Sequence, residues 1–246
     1  ELIITFNCAH KLNTLLIYSL MPNITDTELP IIILNIQRGG PSTGLPTKTE
    51  QSDLYQAMYG RNGECPCVVI APNSPSDCFN TALDAARIAV EHMIPVMLLS
   101  DGYIANGSEP WKIPDMNNIP EIKNNLIKSS NEEFMPYKRK ENTLARDWAI
   151  PGTEGLEHRI GGLEKEDMSG NVSYDPDNHH KMTLQRQKKV DIIANFIPEV
   201  EVYGKQSADL LVLSWGGVYG SVKSAVKKSQ ELGYSVSHVH LRFLNP

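Results

Sequence analysis

The sequence has 246 residues, which is enough for one large domain or two small ones. Hydrophobic residues make up 41% and charged residues 21%, a balance typical of globular proteins and not of disordered ones. The net charge is -6 and basic residues are not clustered, so nucleic acid is not an expected partner. The apolar stretches are shorter than the roughly 18 residues that span a bilayer, so no membrane partner is expected either.

The cysteines predict reduced thiols and not a metal or iron–sulfur cage. There are four of them, Cys8, Cys65, Cys67 and Cys78, and no pair has the CxxC spacing of zinc and cluster sites. No metal site is therefore assigned to this chain. Reduced cysteines are typical of the cytoplasm, which is the expected location.

The first clear element is a strand. Residues 1–26 keep neither a helical nor a strand period, and no element is predicted there. The run Ile31–Ile36 is apolar on both faces and rich in β-branched residues, which predicts a buried parallel strand. Glycine and proline then exclude regular structure over residues 38–46, and a helix is predicted near residues 50–59.

The next segments alternate between strand and helix. A strand is predicted over 67–71, a helix with one apolar face over 74–93, and a strand over 95–100 that ends at Asp101-Gly102. Strand, helix and strand with short joins are the signature of a parallel sheet. The sequence therefore predicts an α/β fold, with a first unit over residues 27–105.

The remainder is predicted to be a connector and a second unit. Residues 106–180 contain six prolines and mixed charge, which predicts a largely irregular connector that packs on the surface. After a helix near 181–196, the pattern predicts a strand over 208–215, a glycine turn, a helix over 221–232 and a strand over 234–241. Because one helix cannot cover both faces of a parallel sheet, the unit over 181–246 is expected to be partial.

Arg38 is the first candidate for chemistry. It follows the first predicted strand, and open α/β sheets bind their ligands at the carboxyl ends of strands. A guanidinium beside glycine-rich backbone suits a carboxylate, since two parallel hydrogen bonds fix the orientation of that group. From the residues alone, an ion pair between Arg38 and a neighbouring acid is an equally good interpretation.

Two further motifs favour structural interpretations. Gly216-Gly217 with Gly220 imitates part of a dinucleotide fingerprint, but no acid ends the next strand, so a close strand-to-helix turn is favoured. His238 and His240 alternate on a predicted strand and therefore point to one face. No ligand set accompanies them, and metal binding is not expected.

One long segment carries a resemblance to a known family. The stretch Gln37 to Leu54, QRGGPSTGLPTKTEQSDL, resembles the alpha subunits of 2-oxoacid:ferredoxin oxidoreductases, especially the 2-oxoglutarate type. The resemblance continues in the segments Tyr59–Glu64, Ser74–Cys78, Leu99–Tyr103, Trp148–Thr153, Gly155–Asp167 and Leu241–Pro246. It covers roughly nine-tenths of the chain, from about residue 27 to 246.

The resemblance implies a fold and a set of partners. The fold would be a partial pyrimidine-type thiamine-diphosphate-binding domain over 27–105, with a parallel sheet, and a partial transketolase C-terminal-like α/β domain over 181–246. Thiamine diphosphate would be shared with a beta subunit, which would hold Mg²⁺ and a [4Fe–4S] cluster. The hetero-oligomer would convert a 2-oxoacid and coenzyme A, most simply 2-oxoglutarate, to CO₂ and succinyl-CoA, and pass electrons to ferredoxin.

The resemblance also implies a substrate-binding role for four residues. Arg38 matches the family arginine that grips the substrate carboxylate, and Ser42, Thr43 and Lys48 lie in the same motif. No catalytic residue is assigned. The family's upstream Tyr-Pro-Ile-Thr-Pro segment and activating glutamate have no counterpart in residues 1–26. We therefore expect a chain that is truncated at both ends and inactive by itself.

Two other functions stay open at this point. The chain could be a catalytically inactive, truncated paralogue or fragment that acts as a scaffold. It could also be a free-standing α/β module that binds a small ligand. Restoration of coenzyme A-dependent activity by a beta subunit would separate the enzyme from both.

Overall fold

The computed structural model describes residues 3–7, 20–40, 44–45, 47–130 and 132–246. Its strands are β1 (Ile3–Asn7), β2 (Ile31–Gln37), β3 (Val68–Ile70), β4 (Pro95–Asp101), β5 (Leu126–Ile127), β6 (Trp148–Ala149), β7 (Val202–Tyr203), β8 (Leu210–Trp215), β9 (Val236–Leu241) and β10 (Phe243–Asn245). Its helices are α1 (residues 20–27), α2 (Leu54–Tyr59), α3 (Asp77–His92), α4 (Gly102–Asn106), α5 (Pro176–Ile193) and α6 (Tyr219–Glu231).

The first sheet confirms the predicted parallel arrangement. Its order is β1-β2-β4-β3-β10; β1, β2, β4 and β3 are parallel to one another, and β10 is antiparallel to β3. The pairing of β2 with β4 places Gln37 opposite Asp101, so both strands end at the same edge of the sheet. That edge is where a parallel sheet of this kind exposes its connecting loops.

Several element boundaries differ from the sequence-based predictions. Residues 1–26, for which no element was predicted, contain β1 and most of α1. The helix predicted from residue 50 begins only at Leu54, because the preceding loop is held by hydrogen bonds to the sheet, including one from the Asp53 N–H to the Gln37 side chain. The helix predicted from 181 begins at Pro176, where the Asp175 carboxylate accepts the Asp177 N–H and so caps it.

The first sheet is covered on both faces. One cluster of buried side chains packs beneath α1 and α2 and includes Ile33, Ala57 and Met97. On the other face, α3 and α5 pack against the strands, and Val190 and Ile193 of α5 are fully buried there. Thus α5 contacts the first sheet although it lies in the predicted second unit, and the division at residue 181 stays a prediction.

The second sheet is small, and its edge strand β8 carries exposed apolar side chains. Its order is β7-β9-β8, with β8 parallel to β9 and β7 antiparallel to it. In β8, Leu210, Leu211 and Leu213 are 57%, 57% and 62% exposed. Within the described ranges, no helix is both long and apolar enough to cross a membrane.

Candidate functional site

The candidate site lies where β2 and β4 end side by side. Gln37, the last residue of β2, is almost fully buried and ties the two strands and the following loop together. Its side-chain amide donates to the Ser100 carbonyl at 3.2 Å and accepts the Asp53 N–H at 3.1 Å. Asn35 donates to the Asp53 carboxylate at 3.1 Å and fixes the same loop from below. The residue that follows Gln37 therefore leaves a rigid strand end.

That residue is Arg38, and its guanidinium is not neutralised by any acid that the structure describes. The side chain is half-buried, and its Nε is buried without a hydrogen-bond partner among the described residues. The ion pair with a neighbouring acid, which the sequence left open, is not found in that part of the chain. A buried donor without a partner is costly, so the position favours an anionic ligand.

The loop after Arg38 folds back on itself and brings Lys48 alongside. The Gly39 N–H donates to the Lys48 carbonyl at 2.8 Å, and the Leu45 N–H donates to the Gly39 carbonyl at 2.8 Å. Gly44 adopts φ +59°, and a Cβ there would lie 1.6 Å from the Gly39 oxygen, so this turn requires glycine. The Lys48 side chain is exposed. Ser42 and Thr43 lie outside the described residues.

The second unit reaches into this site through its glycine turn. The Gly217 N–H donates to the Asp101 carboxylate at 2.7 Å, and the Gln51 side chain donates to the Trp215 carbonyl at 2.9 Å. The structure thus confirms Gly216-Gly217 as a close strand-to-helix turn, which continues as a short 3₁₀ segment into α6. Asp101 and Gln51 were not singled out from the sequence. An acid at the very end of a buried strand is the signal that could have found Asp101.

A second cluster of polar side chains lies on β8 and β9. The Ser214 hydroxyl lies 2.7 Å from His238 Nε2 and 2.9 Å from His240 Nδ1, so both histidines point to one face, as predicted. They line a cavity of about 450 Å³ together with Tyr219 and Lys223. Burial, and then the charge of His238, lowers the pKa of His240 to about 4. Among the residues that the structure describes, no group of three His, Cys, Asp or Glu side chains could hold a metal ion.

Comparison with known families identifies the class of protein. Residues 13–175 match the family model described as pyruvate flavodoxin/ferredoxin oxidoreductase, thiamine diphosphate-binding. This match covers more than half of the chain, and the chain belongs to that family. The α/β fold with a parallel, thiamine-diphosphate-binding domain is therefore confirmed, and so is the resemblance to the alpha subunits of these oxidoreductases.

Two individual relatives show which members of the family the chain is similar to. The chain is 57% identical over 221 residues to the 2-oxoglutarate oxidoreductase subunit KorA of Mycobacterium tuberculosis, an alignment that covers 89% of this chain and 33% of the relative. It is 31% identical over 221 residues to the 2-oxoglutarate synthase subunit KorA of Methanothermobacter thermautotrophicus, covering 87% of this chain and 56% of the relative.

A solved structure shows the same fold. The 2-oxoglutarate:ferredoxin oxidoreductase from Magnetococcus marinus, with 2-oxoglutarate, coenzyme A and succinyl-CoA bound, superposes with a TM-score of 0.87 at 29% identity. The match covers 99% of this chain and 41% of the Magnetococcus chain. This chain thus spans between about a third and just over half of the length of the proteins that it matches here.

Proposed function

We propose that this sequence belongs to the alpha subunit of a 2-oxoacid:ferredoxin oxidoreductase that acts on 2-oxoglutarate. The enzyme decarboxylates the 2-oxoacid, transfers the acyl group to coenzyme A as succinyl-CoA and passes electrons to ferredoxin. Support comes from the relatives named as 2-oxoglutarate oxidoreductase and synthase subunits, and from the Magnetococcus structure with 2-oxoglutarate, coenzyme A and succinyl-CoA bound. Within the chain, the carrying observation is the half-buried Arg38 at the end of β2, which no described acid neutralises.

In this proposal Arg38 holds a carboxylate of the substrate. A guanidinium can offer two parallel N–H groups to one carboxylate, which fixes the orientation of the 2-oxoacid as well as its position. Lys48 adds a second positive charge on the part of the loop that lies alongside Gly39. Ser42 and Thr43 are assigned to the same substrate-binding segment from the motif alone. No catalytic residue is assigned to this chain.

The residues at this edge fit one side of a shared thiamine diphosphate site. They offer positive charge to an anionic group, whereas two carboxylates nearby are already engaged: Asp53 by Asn35 and the buried Asp101 by three backbone N–H groups. When bound, thiamine diphosphate supplies the nucleophilic carbon for decarboxylation. We therefore assign the activating carboxylate to another part of the protein, and Mg²⁺ and the [4Fe–4S] cluster to a beta subunit.

The remaining partners follow from the same proposal. A beta subunit completes the active site in a hetero-oligomer, and ferredoxin receives the electrons. The location we propose is the cytoplasm, because buried thiols such as Cys65 and Cys67 are retained unoxidised in a reducing compartment. The division into a partial pyrimidine-type domain, a connector and a partial transketolase-like domain is part of the proposal.

The test is the substitution Arg38→Met in the alpha chain that carries this sequence, assembled with its beta subunit. We expect the KM for 2-oxoglutarate to rise about 10- to 100-fold, because a charge-assisted, bidentate contact is lost. The matched control is Arg87→Met, which removes an arginine of α3 whose ion pairs are formed with Asp84 and Glu91 of the same helix. The readout is coenzyme A-dependent reduction of ferredoxin or a dye.

The result also separates the alternatives. An unchanged KM in the Arg38→Met enzyme would remove the proposed substrate role. Wild-type assemblies without coenzyme A-dependent turnover, in the presence of a beta subunit that is active with another alpha chain, would instead favour the inactive scaffold. Binding of 2-oxoglutarate by the chain without any beta subunit, measured by calorimetry, would favour the small-ligand module.

A further inference from the structure

We propose that Asp101 is a positioning residue whose contact with Gly217 locks the second α/β unit against the Arg38 loop and sets the geometry of substrate binding. This inference rests on the proposed function. The contact has two parts: the hydrogen bond from the Gly217 N–H to the Asp101 carboxylate, and the hydrogen bond from the Gln51 side chain to the Trp215 carbonyl. Together they are called the Asp101 latch below.

The Asp101 carboxylate is built into the structure. It is 1% exposed, and both of its oxygens are used. One oxygen accepts the N–H groups of Tyr103 and Ile104 at 2.9 and 3.1 Å, and the other accepts the Gly217 N–H at 2.7 Å. A buried carboxylate satisfied by three backbone donors is held in one orientation, and it favours the amino-terminal ends of the helical segments that it touches.

The glycines of the turn are required by this contact. A Cβ on Gly217 would lie 2.6 and 2.7 Å from the two Asp101 oxygens. Gly216 has φ +69°, and its Cβ would lie 2.4 Å from the Gln51 amide nitrogen. Gly220, only three residues beyond Gly217, has no atom near its Cβ position. The close approach is therefore a property of Gly216 and Gly217 and not of every glycine in this segment.

The latch reaches both stems of the Arg38 loop. On the first stem, Asp101 pairs with Gln37, the residue before Arg38. On the second stem, Gln51 follows Lys48 by three residues and carries the other hydrogen bond of the latch. Gly102 lies between the stems, since its Cβ position is 3.6 Å from both the Gln37 and the Lys48 carbonyl oxygens. A shift of the glycine turn therefore displaces both ends of the loop.

The expected consequence is on substrate binding. A bidentate contact between Arg38 and a carboxylate depends on distance and direction, and a displacement of about 1 Å can cost on the order of 100-fold in such sites. In the two hydrogen bonds of the latch, the second unit contributes only backbone groups, the Gly217 N–H and the Trp215 carbonyl. It acts by holding the loop in place.

The experiment compares Gly217→Ala with Gly220→Ala in the alpha chain assembled with its beta subunit. We expect Gly217→Ala to raise the KM for 2-oxoglutarate about 10- to 100-fold and to leave kcat and the KM for coenzyme A within about twofold. Gly220→Ala should match the wild type in all three. Hydrogen exchange of the 47–53 segment should accelerate in Gly217→Ala and not in Gly220→Ala, a readout that does not require turnover.

A second substitution tests the cause. Asp101→Ser in the Gly217→Ala background shortens the side chain that the new methyl group meets, and serine still caps α4. Serine also removes the acceptor of the Gly217 N–H, so Asp101→Ser alone should raise the KM for 2-oxoglutarate about 10- to 100-fold. We expect the KM of the double variant to lie within about threefold of that of Gly217→Ala, because two residues that act through one contact are not additive. If Gly217→Ala does not assemble, Asp101→Asn is measured in its place, with a smaller rise in KM expected.

The outcomes are distinct. Wild-type KM and wild-type exchange in Gly217→Ala, an equal loss in kcat and both KM values, or a KM in the double variant that multiplies the effects of the two single substitutions each overturn the latch. Failure of the proposed function shows differently: Arg38→Met then keeps the wild-type KM, whatever the glycine variants do. If Arg38→Met raises the KM while Gly217→Ala and Gly220→Ala behave alike, the latch is ruled out and the proposed function stands.

Discussion

The Lys189 ammonium lies 3.2 Å from the Glu28 carboxylate, and both side chains are almost completely buried, at 5% and 4% exposure. The same carboxylate pairs with Arg139 and, at 3.5 Å, with Arg146. Arg139 and Arg146 lie in the proline-rich connector and Lys189 lies in α5, whereas Glu28 ends α1. One carboxylate thus holds two distant parts of the chain against a helix terminus.

The backbone at Glu28 serves this arrangement. Glu28 adopts φ +55°, the left-handed conformation that usually ends helices with glycine. The Leu29 N–H then donates to the Ile24 carbonyl at 3.2 Å, which closes the helix end. Arg146 donates to the Thr27 carbonyl at 3.1 Å, so a cation also meets the negative end of α1.

The substitution Glu28→Gln is expected to lower the free energy of unfolding by about 3–5 kcal/mol, because it leaves buried cations without their counter-charge. Urea denaturation at neutral pH measures the change. The matched control is Glu132→Gln, which removes an exposed partner of Lys138 and should leave the unfolding curve unchanged. Equal effects of the two substitutions would contradict the structural role of Glu28.

Stability should fall in acid through Glu28. Burial raises the pKa of its carboxyl, but the charges of Lys189, Arg139 and Arg146 outweigh burial and hold the pKa at about 2. A lowered pKa contributes stability that is present above the unfolded value of 4.5 and is lost as the pH falls toward 2. Urea midpoints measured from pH 5 to pH 2 test this, and Glu28→Gln should flatten the slope.

Lys189 predicts the opposite trend in alkali. Burial lowers the pKa of its ammonium from 10.5 to about 8, although Glu28 opposes the shift. The folded protein therefore releases this proton before the unfolded chain does, and stability should rise as the pH increases from about 8 to 10.5. Lys189→Met should remove the rise in urea midpoints over that interval. A wild-type curve that declines throughout it, with Lys189→Met declining equally, is the contrary result.

Packing of α5 on the first sheet predicts a large cavity effect. Ile193 is fully buried among the strands and α3, so Ile193→Ala should cost about 2–5 kcal/mol in unfolding free energy. Leu184 lies on the same helix but is 57% exposed, and Leu184→Ala should have little effect. Similar losses in the two variants would show that α5 is not docked on the sheet through Ile193.

His240 should remain neutral well into the acid range. Because burial and the neighbouring His238 lower its pKa to about 4, its ring should not protonate near 6.5. The unfolded chain binds this proton at a higher pH than the folded protein does. The stability that the neutral His240 ring contributes is therefore present above pH 6.5 and is lost as the pH falls toward 4. NMR titration of labelled histidines, assigned with His240→Gln, tests the value. A resonance of His240 that titrates at 6.5 would disagree with the burial seen in the structure.

The local elements could be predicted because their signals are local. The apolar run Ile31–Ile36 and the periodicity of α3 indicate a buried strand and an amphipathic helix without reference to any partner. The glycine loop after Arg38 could be recognised for the same reason, and so could the motif that it shares with the family. The predicted starts of two helices were less accurate. The helices begin at Leu54 and Pro176, and hydrogen bonds of the residues just before them fix those positions.

By itself, the sequence determined the α/β class, the family and the place of Arg38 at a strand end, because periodicity, glycine and contiguous motifs are all read along the chain. Only the tertiary structure decided that Asp101 meets Gly217, 116 residues away, and that Glu28 meets Lys189 across the connector. These contacts depend on desolvated charges and on backbone approach in three dimensions. Neither contact produces a periodic pattern in the sequence.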